Sequence, residues 1–190
     1  MIMNHLTPLS ALSRALGWAA ISLLLVGSAK GAEPIAHPFS GFAFPSRVAS
    51  FHREQVTRFD KEGKDLGVGY NDLKAPAAIT IYVYPAAALY SPVSLRKEFN
   101  DCRKALLMGH EGVQTVLEGT TKPRGKYRGF GGIYAYRDIF AGEKQQVVSW
   151  LTVYQKDSVI VKFRETYPDV TADASAKAIG KFREAFVWPK

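Results

Sequence analysis

The segment AAITIYVYP, residues 77–85, constrains the fold more than any other stretch of the chain. Side chains on a strand alternate between faces, so Ile79, Ile81 and Val83 point one way and Thr80, Tyr82 and Tyr84 the other. Both sets are apolar or aromatic, so such a strand must be covered on both sides. The segment QVVSWLTVY, residues 146–154, repeats the pattern, with Val147, Leu151 and Val153 opposed to Val148, Trp150 and Tyr154. Two strands of this kind require a sheet with a layer on each face.

Two helical patterns supply the layers. Over residues 94–108, Leu95, Phe99, Cys102 and Leu106 recur at helical spacing, with Arg96, Lys97, Arg103 and Lys104 off the stripe. Ser91 or Ser94 is suited to the N-cap and Gly109 to the stop. Over residues 171–186, Ala174, Ala178, Phe182 and Ala185 form the expected buried line, with Thr171 as the cap.

The remaining strands are expected at 47–59 and 66–70, joined through the turn-rich DKEGKD, and at 113–118, 131–140, 145–155 and 158–166. AGEK and KD suit tight connections, so the last three read as an antiparallel meander. The expected fold class is therefore α+β, a mainly antiparallel sheet of about six to seven strands in the order βββ-α-ββββ-α, flanked by helices.

The chain has 190 residues, 47% hydrophobic and 22% charged, which is the composition of one globular domain. Residues 1–31 read as a signal peptide: an apolar run of 13, ALGWAAISLLLVG, follows Arg14, and small residues crowd GSAKGA. The run is short of the roughly 20 residues a bilayer span needs. Cleavage after Gly31 or after Ala29 satisfies the small-residue requirement, and an uncleaved N-terminal anchor is the alternative. Residues 32–45, AEPIAHPFSGFAFP, have three prolines and no clear period and read as an extended arm, followed by a single domain over 46–190. Export implies a periplasmic location. Losing Arg14 and Lys30 from 25 basic side chains leaves 23 against 17 acidic, a net +6, which favours anionic partners. Cys102 is the only cysteine, so an intramolecular disulfide is excluded.

A lead-in rich in Pro and Phe, a hairpin reaching GVGY, the strand ITIYVYP, a helix, a meander ending VIVKFRETYP and a closing helix together resemble the PsbP/DcrB-like α/β/α sandwich over most of residues 42–188. The resemblance rests on element order. It implies a mostly non-catalytic role, since members include photosystem accessory proteins, envelope proteins and a GTPase-binding factor. No site residue can be carried over from it, because no motif places one.

Motifs for chemistry are incomplete. His52 and Glu54 form an H-x-E pair without the P-C-x-x-C partner of a zinc deaminase. His37, His52 and His110 lack ligand spacing. Cys102 points inward with its stripe, G-x-S-x-G is absent, and Gly67 and Gly69 complete no dinucleotide fingerprint. A metal or cofactor is not expected.

Two candidate binding features remain. In TTKPRGKYRGFGG, residues 120–132, Lys122, Arg124, Lys126 and Arg128 occupy alternate positions with no acid among them. An extended strand would place the four in a row about 6.6 Å apart. Such a row either guards a sheet edge or contacts an anionic membrane surface or an acidic envelope protein. Nucleic acid is not expected in an exported compartment. The second feature is the aromatic set Tyr82, Tyr84, Tyr134, Tyr136 and Trp150, which could share one face and line a pocket. The function expected is thus an exported non-enzymatic binding or accessory module. A hydrolase or small-ligand binder with an aromatic-lined pocket is the alternative.

Overall fold

The computed structural model describes residues 33–189, so the segment read as a signal peptide lies outside the described residues. Strands β1 (Ile35–Ala36) and β2 (Ala43–Phe44) form a small hairpin. The main sheet contains β3 (Arg47–Val48), β4 (Phe51–Arg58), β5 (Leu66–Asp72), β6 (Ala77–Pro85), β7 (Gln114–Arg124), β8 (Tyr127–Phe140), β9 (Glu143–Lys156) and β10 (Val159–Pro168). Helix α1 spans Pro92–Gly109 and α2 spans Ala172–Ala185. The spatial order is β3-β4-β5-β6-β10-β9-β8-β7, with eight strands and antiparallel neighbours throughout.

In the main sheet the order βββ-α-ββββ-α survives with one extra strand, and the β1–β2 hairpin stands in the segment expected to be an extended arm. Ala49, at φ 51, reverses the chain so that Arg47 pairs with His52, which splits the segment expected to be a single strand. The meander turns fall where AGEK and KD place them, with Ala141 at φ 52, Gly142 at φ 86 and Asp157 at φ 52. The left-handed pair Ala141–Gly142 matches the strand twist, as a two-residue hairpin of this type requires, whereas in the second turn Asp157 alone takes a positive φ.

The caps show how local sequence sets helix ends. Ser91 accepts from the Ser94 backbone N–H at 3.0 Å while the Ser94 hydroxyl accepts from the Ser91 N–H at 2.8 Å, a reciprocal capping box next to Pro92. Thr171 stands at the N-cap of α2, but its hydroxyl goes to the Pro168 carbonyl and Ser175 instead.

The two helices lie on opposite faces and over different halves of the sheet: α1 packs on β8 and β9, α2 on β6 and β10. Beneath α1 lie Leu95, Phe99, Leu106, Tyr134, Leu151 and Ile160. On the other face Ile79, Ile81, Val83 and Phe163 meet Phe182 and Phe186. The odd and even residues of β6 thus enter different cores, as the alternation of AAITIYVYP requires. The buried line of α2 is Ser175, Ala178, Ile179 and Phe182, and the expected Ala174 and Ala185 are exposed. Ile179 and Phe182 bury more apolar area than alanines can, so they set the rotation of the helix.

The segment read as an extended arm is drawn into the core. Phe42 and Phe44 are 1% and 0% exposed and pack against Phe186 at ring distances of 6.0 and 6.1 Å, the first stacked and the second tilted. Replacing Phe44 with Ala should cost about 3–5 kcal/mol, while Phe39→Ala, at a residue 62% exposed, should cost under about 1 kcal/mol. Equilibrium urea unfolding measures both, and equal small losses would show that the arm is dispensable.

Candidate binding site

The cationic run does not form one extended row. Arg124 pairs with Tyr127 across a two-residue reversal at Gly125 and Lys126, with Gly125 at φ 59, and the β7–β8 ladder is irregular between Thr121 and Arg124. The run is therefore a hairpin, which strand periodicity could not reveal because the signal for reversal was a single glycine. Lys122, Lys126 and Arg128 are exposed and Arg124 is half-buried. The Arg128 guanidinium bends back to the Gly125 carbonyl at 3.2 Å. Lys122 and Arg124 have no hydrogen-bonding or ion-pair partner among the described residues.

Arg124 and Lys122 look into an open groove of about 490 Å³ on the α2 side of β7, β8 and β9. It exists because α2 stops over β6 and β10, so no helix covers this half of the sheet. Its floor is low because Gly119 faces Gly131 across β7 and β8. A Cβ on Gly129 would meet the Tyr154 ring at 2.5 Å, so only glycine lets that ring lie flat there. Leu117, Ile133 and Trp150 give the groove an apolar stretch, with Thr120 and Thr152 beside it.

At the inner end of the groove lies an ion pair. Glu165 is 1% exposed, and Arg183 donates to it from Nε at 2.7 Å and also from Nη2. Burial pushes the Glu165 carboxyl above its ordinary range, against the pull of Arg183. The Arg183 guanidinium also sits 4.7 Å from the Trp150 ring centroid. Among the described residues, the buried hydroxyl Thr121 Oγ1 has no hydrogen-bond partner.

The aromatic set does not share a face. Trp150 pairs with Ile133 rather than with Tyr134, which puts it on the groove side, where its Nε1 donates to Tyr167 Oη at 3.2 Å. The tyrosines lie on the α1 side. Tyr84, Tyr134 and Tyr136 are 2%, 0% and 1% exposed, so α1 packs them as core rather than leaving a pocket. Their hydroxyls are used: Tyr84 donates to Glu98 at 2.7 Å, Tyr134 to Glu118 at 2.9 Å, and Tyr136 accepts from Arg164 at 2.5 Å. Tyr82 is half-buried beneath Lys162, whose Nζ is 3.9 Å from the ring centroid. Alternation along each strand was readable, but relative register between strands was not.

His37, His52 and His110 stand in different segments of the chain. His37 bonds to the Lys64 carbonyl at 3.0 Å and to Ser40 at 2.8 Å. His52 is exposed on β4, whose ladder skips Glu54 at a bulge between Arg53 and Gln55. No group of three or more His, Cys, Asp or Glu among the described residues could hold a metal ion. Cys102 is half-buried, 3.7 Å from Tyr84 Oη and 3.8 Å from Glu98 Oε1. His110 joins a network that sequence reasoning missed. Arg164, 6% exposed, donates to His110 Nε2 at 2.8 Å and to Ser149 at 3.3 Å. A guanidinium only donates, so Nε2 accepts and the ring proton is on Nδ1, 3.4 Å from Asp138.

This fold defines a class: the chain is a PsbP-like α/β/α sandwich, with a large antiparallel sheet between two helices. The solution structure of cyanobacterial PsbP (CyanoP) from Synechocystis sp. PCC 6803 is similar to it with a TM-score of 0.54 and 10% sequence identity, over 88% of this chain and 99% of that one. No family model matches the sequence, and no curated protein matches it either. Among the described residues, no helix is long and apolar enough to cross a membrane.

Two measurements test these networks. Burial and then the Arg164 charge lower the His110 pKa from 6.5, with Asp138 opposing. A base whose folded pKa is depressed contributes stability above its unfolded value, and that stability is lost as the pH falls through it. Unfolding free energy should therefore decline below about pH 6.5, and His110→Gln should flatten that slope; an unchanged slope would assign the decline to other groups. For Thr121, an unpartnered hydroxyl costs about 1–3 kcal/mol, so Thr121→Val should raise the melting temperature by about 2–4 °C. A lower melting temperature would mean that the hydroxyl is satisfied in solution.

Proposed function

We propose that this protein is an exported accessory module, without catalytic activity, that docks on an anionic membrane surface through the β7–β8 hairpin. The observation that carries the reading is the hairpin itself: Lys122, Lys126 and Arg128 are exposed at one corner of the sheet with the half-buried Arg124 beside them, and no acid lies between Thr120 and Gly132. Concentrating four cations at a turn raises the local potential more than spreading them along a strand would. The PsbP-like fold supports an accessory role, and the basic balance of the chain supports an anionic partner. Export rests on the signal-peptide pattern of residues 1–31, which implies a periplasmic or envelope location.

A hairpin guarding the sheet edge is the competing account, favoured by Pro123 and the irregular ladder in β7. The two accounts separate on replacing all four cations with Gln. Docking predicts that retention on anionic vesicles is lost at unchanged melting temperature, and that wild-type retention weakens steeply as salt rises and the Debye length falls from about 10 Å at 0.1 M to about 3 Å at 1 M. If the variant binds vesicles as wild type does but aggregates sooner, the hairpin is an edge guard. Retention on an immobilised acidic protein but not on vesicles would point to a protein partner instead.

A further inference from the structure

The open groove on the α2 side has a polarity of its own. One end carries Lys122 and Arg124, neither with a hydrogen-bonding or ion-pair partner among the described residues, and the body carries Leu117, Ile133 and Trp150. The acids near it are already committed: Glu118 accepts from Arg103 at 2.5 Å and from Tyr134 at 2.9 Å, while Glu165 is paired with Arg183. The groove therefore offers two cations without hydrogen bonds or ion pairs among the described residues, Lys122 and Arg124, beside apolar surface, although the Arg124 charge also acts on the Glu165 carboxylate that Arg183 binds. Leu117, 62% exposed, adjoins the half-buried Ile133 and Trp150 there, so the apolar surface is a patch and not a single side chain.

We propose that this groove binds a single-chain amphiphile with a carboxylate head, the head held by Arg124 with Lys122 nearby and the chain laid over the glycine floor against Leu117, Ile133 and Trp150. The volume of about 490 Å³ falls within the roughly 300–1,000 Å³ of small-molecule sites. An arginine guanidinium matches a carboxylate through two parallel hydrogen bonds, whereas an isolated lysine offers a point charge. An alkyl chain suits the floor because Gly119 and Gly131 present no side chain to interrupt it. A bulky acidic peptide would have to desolvate further carboxylates against Leu117 and Ile133, where the remaining lining cation, Arg183, is already paired with Glu165. The inference does not rest on membrane docking, although Lys122 and Arg124 are common to both.

Titration calorimetry with octanoate, decanoate and 1-decanol, below their aggregation concentrations, tests it. Saturable binding of the carboxylates is expected, tightening about fourfold per added methylene, with 1-decanol at least about tenfold weaker than decanoate for want of a charge-assisted hydrogen bond. Arg124→Gln should weaken decanoate by a similar factor. Gly119→Trp fills the groove, since a Cβ there meets nothing within 4 Å, and should abolish binding without changing vesicle retention. Leu117→Glu, at an exposed position, should do the same if the tryptophan variant folds poorly. No saturable binding, equal binding of 1-decanol, or binding that survives both groove variants overturns the proposal. So does binding of a glutamate-rich octapeptide, lost in Gly119→Trp, in place of decanoate, because the groove then takes a polypeptide. Loss of vesicle retention in the four-cation variant leaves these groove outcomes separately readable.

Discussion

Strand β10 hydrogen-bonds to β6 along one edge and to β9 along the other, and this double pairing makes a single sheet of two halves that are formed on either side of α1 in the sequence. Both faces of β10 are buried, with Val161 and Phe163 in one core and Ile160 in the other. The same strand carries Arg164 and Glu165, 6% and 1% exposed, on opposite faces. A charge taken out of water costs several kcal/mol unless it is paired. Glu165 is met by Arg183 from α2, and Arg164 by His110, Tyr136 and Ser149 from the α1 side. Each helix layer is thus tied to the central strand by a polar contact as well as by apolar packing, and polar contacts of this kind select one register.

The diagonal placement of the helices has a functional consequence. An eight-stranded sheet is wider than one helix can cover, so each face keeps an uncovered half. On the α1 side of β5 and β6 that half is closed by rings, with Phe59 and Tyr82 lying over Gly67 at 3.1 and 3.2 Å from where a Cβ would be. On the α2 side of β7, β8 and β9 no such closure occurs, because the positions that could supply it include Gly119 and Gly131. Gly131 of the GFGG run that ends the basic tract, together with Gly119 opposite it, leaves a concavity next to Arg124. Charge and concavity therefore meet at one corner of the molecule.

Much of this architecture was legible from the chain alone. Alternation in AAITIYVYP and QVVSWLTVY required two cores, and the stripe Leu95, Phe99, Leu106 identified α1 and its buried face. The Ser91 and Ser94 cap and the turns at Ala141 and Asp157 were also local, because the hydrogen bonds and dihedral angles involved lie within a few residues. These features depend on period and on neighbours in sequence, which any reader of the chain can count.

What tertiary structure alone decided was everything that depends on which residue stands opposite which. Trp150 and Tyr134 looked like members of one set until the β8–β9 register put them on opposite faces. The four cations looked like a row until the chain turned at Gly125. Phe42 and Phe44 looked like part of an arm until Phe186 brought a partner from the far end of the chain. Arg164 and Glu165, adjacent in sequence, gave no sign of being buried, since the groups that make their burial tolerable lie on other elements. Strand period and helix stripe are intrinsic to a segment, whereas register, opposition and the groove are relations between segments set by long-range packing, and no single stretch of sequence contains them.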